Sequence, residues 1–147
     1  MPHPIETLIW ETRRLFRALA VAADEALKPL KITASDRALI EFLAKEPGPI
    51  SLSELARKRS VSRQHIHQSL NRLRNPRWIE KLPDPNDARS MLLRLTGEGK
   101  ALWGEIRGID RVVLRRIARA DVGGVEAATQ TLRHIRAVLQ KGKENHD

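Results

Sequence analysis

Residues 62–73 run SRQHIHQSLNRL. Ile66, Leu70 and Leu73 recur at steps of four and three, the apolar stripe of a short helix. Arg63, Gln64, His65, His67, Gln68, Asn71 and Arg72 fall on the opposite face. A Gln amide can pair with adenine through both of its ends, and an Arg fork with guanine. Ser62, as a helix-start donor, and Arg72, as a long cation, suit phosphate better than bases. The alternative is a plain solvated face. Such faces are commonly built from Lys/Glu pairs four residues apart, and this stretch has none. His65 and His67 do not suggest a metal, because two residues apart on a helix they point away from each other, and no Cys or nearby acid completes a site.

The surroundings are basic. From Arg57 to Arg94 ten Lys and Arg face only Glu80, Asp84 and Asp87, a local excess of +7 within a chain of net charge +9. A surface built only for solubility would mix the signs more evenly. The imbalance points to a polyanion, with a solvated basic face as the bland alternative. Trp10, Trp78 and Trp103 suit core or interface anchors, and with no Tyr the chain is poorly equipped to stack single-stranded bases. There are no cysteines, hence no disulfide, cysteine–zinc site or thiol sensor. No Ser/His/Asp constellation, phosphate-cradling glycine loop or metal spacing appears, so neither an enzyme nor a cofactor is expected. No apolar run is long enough to span a membrane, and MPHPIETLIWETRR lacks the pattern of a signal peptide. A cytoplasmic protein is the simplest expectation.

The polar-faced helix needs elements to hold it. Ser51 and Glu54 form a capping-box pattern that opens a shorter helix with Leu52, Leu55 and Ala56 inward. RKRSVS is then a turn, with Val61 as an apolar pin. The second helix should run from Ser62 to about Asn75, where Pro76 disfavours continuation. Trp78–Leu82 and Ser90–Leu95 read as two short strands around the turn residues PDPND. Upstream lie an amphipathic helix over 5–27, ended by Pro29, and a second helix opened by Thr33 with Asp36. Downstream, Thr96 caps a long helix with Leu102, Ile106, Ile109, Val113 and Ile117 inward. After a break at Val122–Gly124, a last helix carries Val125, Ala128, Leu132, Ile135 and Leu139, followed by the polar tail KGKENHD. The fold expected is mainly α with a small β-wing (α+β): a winged helix-turn-helix over 30–96, within a single domain of 147 residues, flanked by helical dimerisation parts at 1–29 and 97–147.

These pieces, in this order, resemble the multiple-antibiotic-resistance-regulator (MarR) family. The resemblance rests on IT at 32–33, LSELARKRSVSRQHIHQSLNRL at 52–73, DPNDAR at 84–89 and LTGEG at 95–99. Two departures stand out: Arg77 follows Pro76 where the family usually has Gly, and Ala88 replaces the first of two wing arginines. The resemblance implies a homodimer on a pseudo-palindromic double-stranded DNA site, usually a repressor. In many members a small aromatic or anionic ligand, bound between the dimer region and the winged part, releases the DNA. It also implies, in agreement with the chemistry, that Arg89 probes the minor groove. Asp87 is placed to hold that guanidinium, or simply to pair with it in an ordinary turn. The set expected to touch DNA is Ser62, Arg63, Gln64, His65, His67, Gln68, Arg72, Asp87 and Arg89. The competing function is a winged-helix module for protein interaction or non-specific nucleic-acid binding.

Overall fold

The computed structural model describes Met1 and residues 3–141. The chain forms two units, Met1–Arg111 and a second that begins at Val112. The polar tail, expected to fray, falls at 142–147, outside the described residues.

In the first unit, helix α1 spans Pro4–Leu27. Its end is as expected: Pro29 sits in a 3-10 turn, Lys28–Leu30, and Lys31 adopts φ 53°. Helix α2, Ala34–Ala44, starts with a complete capping box. The Thr33 hydroxyl accepts the Asp36 N–H at 3.0 Å, and the Asp36 carboxylate accepts the Thr33 N–H at 2.9 Å. Helix α3, Leu52–Lys58, is capped by Ser51, whose Oγ accepts the Glu54 N–H. The reciprocal half of that box is missing. Ser51 belongs to a strand, and the Glu54 carboxylate lies 3.8 Å from Arg57. The chain reverses through Ser60, at φ 54°, and the Val61 N–H is held by the Ala56 carbonyl. Helix α4 is Arg63–Asn71, capped by Ser62.

Three expectations need correction here. Helix α4 ends at Asn71 rather than near Asn75. Polar partners beyond the helix hold the next residues: the buried Asp36 carboxylate accepts the Arg74 N–H at 3.4 Å, and the Asn75 side chain accepts the Arg77 N–H. That second bond opens a 3-10 turn over Pro76–Trp78, so the chain is already turning toward the sheet. The sheet has three strands, not two. Strand β1, Ile50–Ser51, pairs antiparallel with β3 (Asp87–Leu95), which pairs with β2 (Ile79–Asp84), in the order β1-β3-β2. Two residues are too few to carry an alternating pattern, so β1 left no periodic trace. The wing strands are also longer than expected, leaving only Pro85 and Asn86 between them. Pro83 lies inside β2, beside an irregularity in the register, and is tolerated because β2 is an edge strand.

Leu39, Ile40, Leu43, Leu55, Ile66, Leu70, Ile79, Leu93 and Leu95 form one core with Leu102 and Ile106. Each fully buried Leu or Ile contributes about 1.5–3 kcal/mol. Helix α5, Gly97–Ala118, packs Leu102 and Ile106 into this core, with Ile109 half-buried. Farther along the expected inward stripe is not covered: Val113 is half-buried and Ile117 is 42% exposed. Helix α6, Val125–Lys141, belongs wholly to the second unit and buries no side chain.

The junction of sheet and α5 is tight. The Thr96 N–H donates to the Trp78 carbonyl at 3.0 Å, and the Thr96 hydroxyl donates to the Arg77 carbonyl. The same hydroxyl accepts the Gly99 N–H at 3.1 Å, capping α5 as expected. A Cβ on Gly99 would lie 2.1 Å from the Trp78 carbonyl oxygen. Only backbone can yield there, so Gly99→Ala is expected to lower stability by about 2–3 kcal/mol in urea titration at fixed protein concentration. Gly104→Ala, with nothing within 4 Å of the added methyl, should leave the midpoint unchanged or raise it slightly.

Candidate nucleic-acid interface

Helix α4 sits against α2 and α3 through Ile66, Ser69 and Leu70. Ser69 replaces the expected Leu73 among the fully buried positions. Its Oγ accepts from Ser35 on α2 at 3.3 Å, and Leu73, beyond the helix end, is half-buried against the core. At 100° per residue the direction opposite this buried strip is occupied by Gln64, Gln68 and Asn71. Arg63 and His67 lie on one flank, and His65 and Arg72 on the other. All seven are exposed. The outward face is therefore neutral amide along its centre and basic along both edges. The Ser62 hydroxyl accepts the His65 N–H at 3.0 Å, which leaves its own proton free to donate.

The wing places Arg89 two residues into β3, exposed beside the turn. Asp87 does not hold its guanidinium. The Asp87 carboxylate instead accepts the Arg89 backbone N–H at 2.9 Å, and three residues earlier Asp84 accepts the Asn86 N–H at 2.9 Å. The two acids of DPNDAR thus shape the tip through the main chain. The Arg89 side chain has no carboxylate within 4 Å among the described residues. Sequence inspection could not separate these roles, because backbone and side-chain acceptance look the same in a motif.

The basic excess sorts into two groups. Lys58 and Arg59 both pair with Glu46, at 2.9 and 2.8 Å, and that carboxylate is only 5% exposed. Arg59 also donates to the Phe42 carbonyl and lies over the Phe42 ring. Arg57 faces Glu54, Arg94 pairs with Glu80, and Arg77 approaches Glu98 at 3.9 Å. Arg63, Arg72, Arg74, Lys81 and Arg89 have no acid partner within 4 Å among the described residues. Arg74 and Lys81 were not singled out from the sequence, and Asn71 was not placed among its contact residues. Asn71 lies on the outward strip of α4, and only the ion pairs of the folded chain separate the paired from the unpaired cations of this segment. Glu46, which neutralises two of the ten, lies well upstream of Arg57, past the end of α2.

No helix among the described residues is long and apolar enough to cross a membrane, and no three His, Cys, Asp or Glu among them come together as metal ligands.

A capped helix, a tight turn and a second capped helix, backed by a three-stranded sheet whose hairpin carries a free arginine, constitute a winged helix-turn-helix. Comparison with known proteins gives this class a family. The MarR family model matches residues 30–90. The HTH-type transcriptional repressor Rv2887 of Mycobacterium tuberculosis is 32% identical over 110 residues, covering 70% of this chain and 78% of that protein. The multiple antibiotic resistance protein MarR of Salmonella typhimurium is 38% identical over 76 residues, about half (52%) of each chain. Among solved structures, a cysteine-to-serine mutant of MarR from E. coli in complex with operator DNA superposes with a TM-score of 0.72 at 26% identity, covering 93% of this chain and 94% of that one. The chain belongs to the MarR family, a family of transcription regulators.

The sorting of charges has a direct consequence for stability. Arg59→Ala removes an ion pair and a carbonyl bond beside a nearly buried carboxylate, and should cost about 2–4 kcal/mol in urea titration. Arg72→Ala, on the exposed flank of α4, should stay within about 0.5 kcal/mol of the parent. Equal losses in the two variants would show that the division into structural and free cations is wrong.

Proposed function

We propose that this chain is a homodimeric, sequence-specific repressor of transcription that reads a pseudo-palindromic duplex site. Helix α4 enters the major groove and the β2–β3 wing reaches the adjacent minor groove. The observation that carries this is where the segment Arg57–Arg94 leaves cations with no acid within 4 Å among the described residues: Arg63, Arg72, Arg74, Lys81 and Arg89 all lie on α4, just after it, or on the wing. Gln64, Gln68 and Asn71 then face the base edges, while Ser62, Arg63 and Arg72 meet phosphates. His65 and His67 flank the amides. Arg89 enters the minor groove, and Asp87 sets the backbone of the tip that presents it. The chemistry is binding, with no reaction catalysed. The operator complex of the E. coli relative supports the DNA partner.

The exposed apolar surface supports the second copy. Helix α1 leaves Ile9, Trp10, Phe16 and Leu19 in contact with solvent, and α6 leaves Leu132, Val138 and Leu139. Two amphipathic helices with uncovered apolar stripes are costly in a lone chain and favour association. Sedimentation equilibrium at micromolar concentration should return a dimer.

Selection of bound sequences from random duplex DNA at near-physiological salt tests the central reading. An inverted repeat with half-site centres roughly one helical turn apart is expected. Recovery of unenriched DNA would favour a general basic surface or a protein-interaction module instead. On the selected site, Arg89→Ala should weaken binding and reduce the slope of log affinity against log salt by about one. Gln64→Ala or Gln68→Ala should instead change the preferred sequence, at about 1–3 kcal/mol of lost discrimination.

A further inference from the structure

Two imidazoles on the outward face of α4 remain without an assigned chemistry. His65 and His67 are both exposed. At 100° per residue they lie on opposite flanks of the helix, with Gln64 and Gln68 between them. When such a helix lies in a major groove, its central strip meets the base edges and its flanks meet the phosphate walls. Each imidazole shares its flank with a guanidinium, His67 with Arg63 and His65 with Arg72. The flanks therefore carry the cationic side chains, and the imidazoles are the members of that set whose charge pH can change.

Nothing in the free protein compensates a charge on either ring. Helix α4 contains no Asp or Glu. From α3, Glu54 is drawn to Arg57, Arg57 is a cation, and Lys58 is held by Glu46. From α2, Asp36 is 1% exposed and occupied by the Thr33 and Arg74 N–H groups, Arg37 is paired with Asp110 at 2.8 Å, and Glu41 is paired with Lys45. Neither imidazole has a carboxylate within 4 Å among the described residues. With α4 in a major groove, backbone phosphates would stand alongside both rings and favour their charged form. Such a complex would hold more protons than the free protein and free DNA do.

We propose that DNA binding by α4 is coupled to proton uptake at His65 and His67, so that affinity for the operator is set by pH across the range where imidazole titrates. The coupling rests on the functional reading above, since it requires α4 to lie in the groove. Its direction follows from linkage. A complex that binds more protons than its separated partners tightens as pH falls, and the gain disappears at pH values where both states are deprotonated.

Fluorescence anisotropy on the selected operator, with the full chain at constant salt from about pH 8 to about pH 6, tests this. Wild type should gain about tenfold or more in affinity over that range. His65→Gln/His67→Gln should bind the same site with a nearly flat profile. His65→Lys/His67→Lys, charged throughout, should also be flat, but tighter than the Gln pair at the alkaline end. Replacing His3, His134 and His146 by Gln should leave the wild-type slope intact, and each single variant at 65 or 67 should lose part of it. A flat wild-type profile with selective binding overturns the coupling and leaves the operator reading standing. A profile that weakens toward acid pH overturns it as well, because it would mean that a neutral imidazole reads a base. A wild-type slope retained by the Gln pair places the protons elsewhere. Absence of selective binding at every pH overturns both the coupling and the function on which it rests.

Discussion

The contact on which the DNA-reading surface depends is made far from any base, at the carbonyl of Trp78. That oxygen accepts the Thr96 N–H and lies where Gly99 leaves room for it. Trp78 ends the turn that leads out of the α4 region, and Thr96 begins α5. One carbonyl therefore ties the entrance of the wing to its exit and fixes both to the first turn of the long helix. The Thr96 hydroxyl adds two bonds to the same knot, one to the Arg77 carbonyl and one from the Gly99 N–H. The run Leu95-Thr96-x-x-Gly99 is thus a structural device: a buried anchor, a cap that bonds in three directions, and a residue small enough to admit a carbonyl. It accommodates Pro76 and Arg77 without a glycine before β2, because a 3-10 turn supplies the bend.

A second constraint acts on charge. Placing many cations near one another destabilises the folded chain unless some are neutralised. Here Lys58 and Arg59 are neutralised behind the helix-turn-helix. Glu46, nearly buried, collects Lys58 and Arg59, and Arg59 adds the Phe42 carbonyl and ring. These interactions fasten α3 to the end of α2. Of the ten cations between Arg57 and Arg94, the five with no acid within 4 Å among the described residues lie on α4, just after it, or on the wing.

Much of this was legible in the chain because it was written in local patterns. The Thr33/Asp36 box, the Ser62 cap, the Ile66–Leu70 stripe and the Asp/Asn/Pro wing turn each depend on residues within a few positions of one another. What was not legible depended on distant partners. Asp36, recognisable as a capping residue, also holds Arg74 thirty-eight positions away, and that bond helps end α4 before Asn75. Strand β1 exists because Ile50 and Ser51 meet Leu93 and Leu92, which no property of a dipeptide announces. The bond from the Arg89 N–H to Asp87 was invisible for another reason: proximity in sequence suggested a side-chain pair, and the main chain claimed the carboxylate first. The outer half of α5 was assigned an inward stripe by its spacing alone. Spacing reports that a face is apolar without saying which chain covers it.

The position of Pro83 carries a last consequence. Strand β2 is an edge of the sheet, so one side of its backbone is unpaired and could accept another strand. Pro83 has no N–H to offer, the register is irregular beside it, and Lys81 places a charge on the same strand. Each feature discourages strand addition. The wing is thereby kept as a hairpin whose outer edge resists pairing with a further strand.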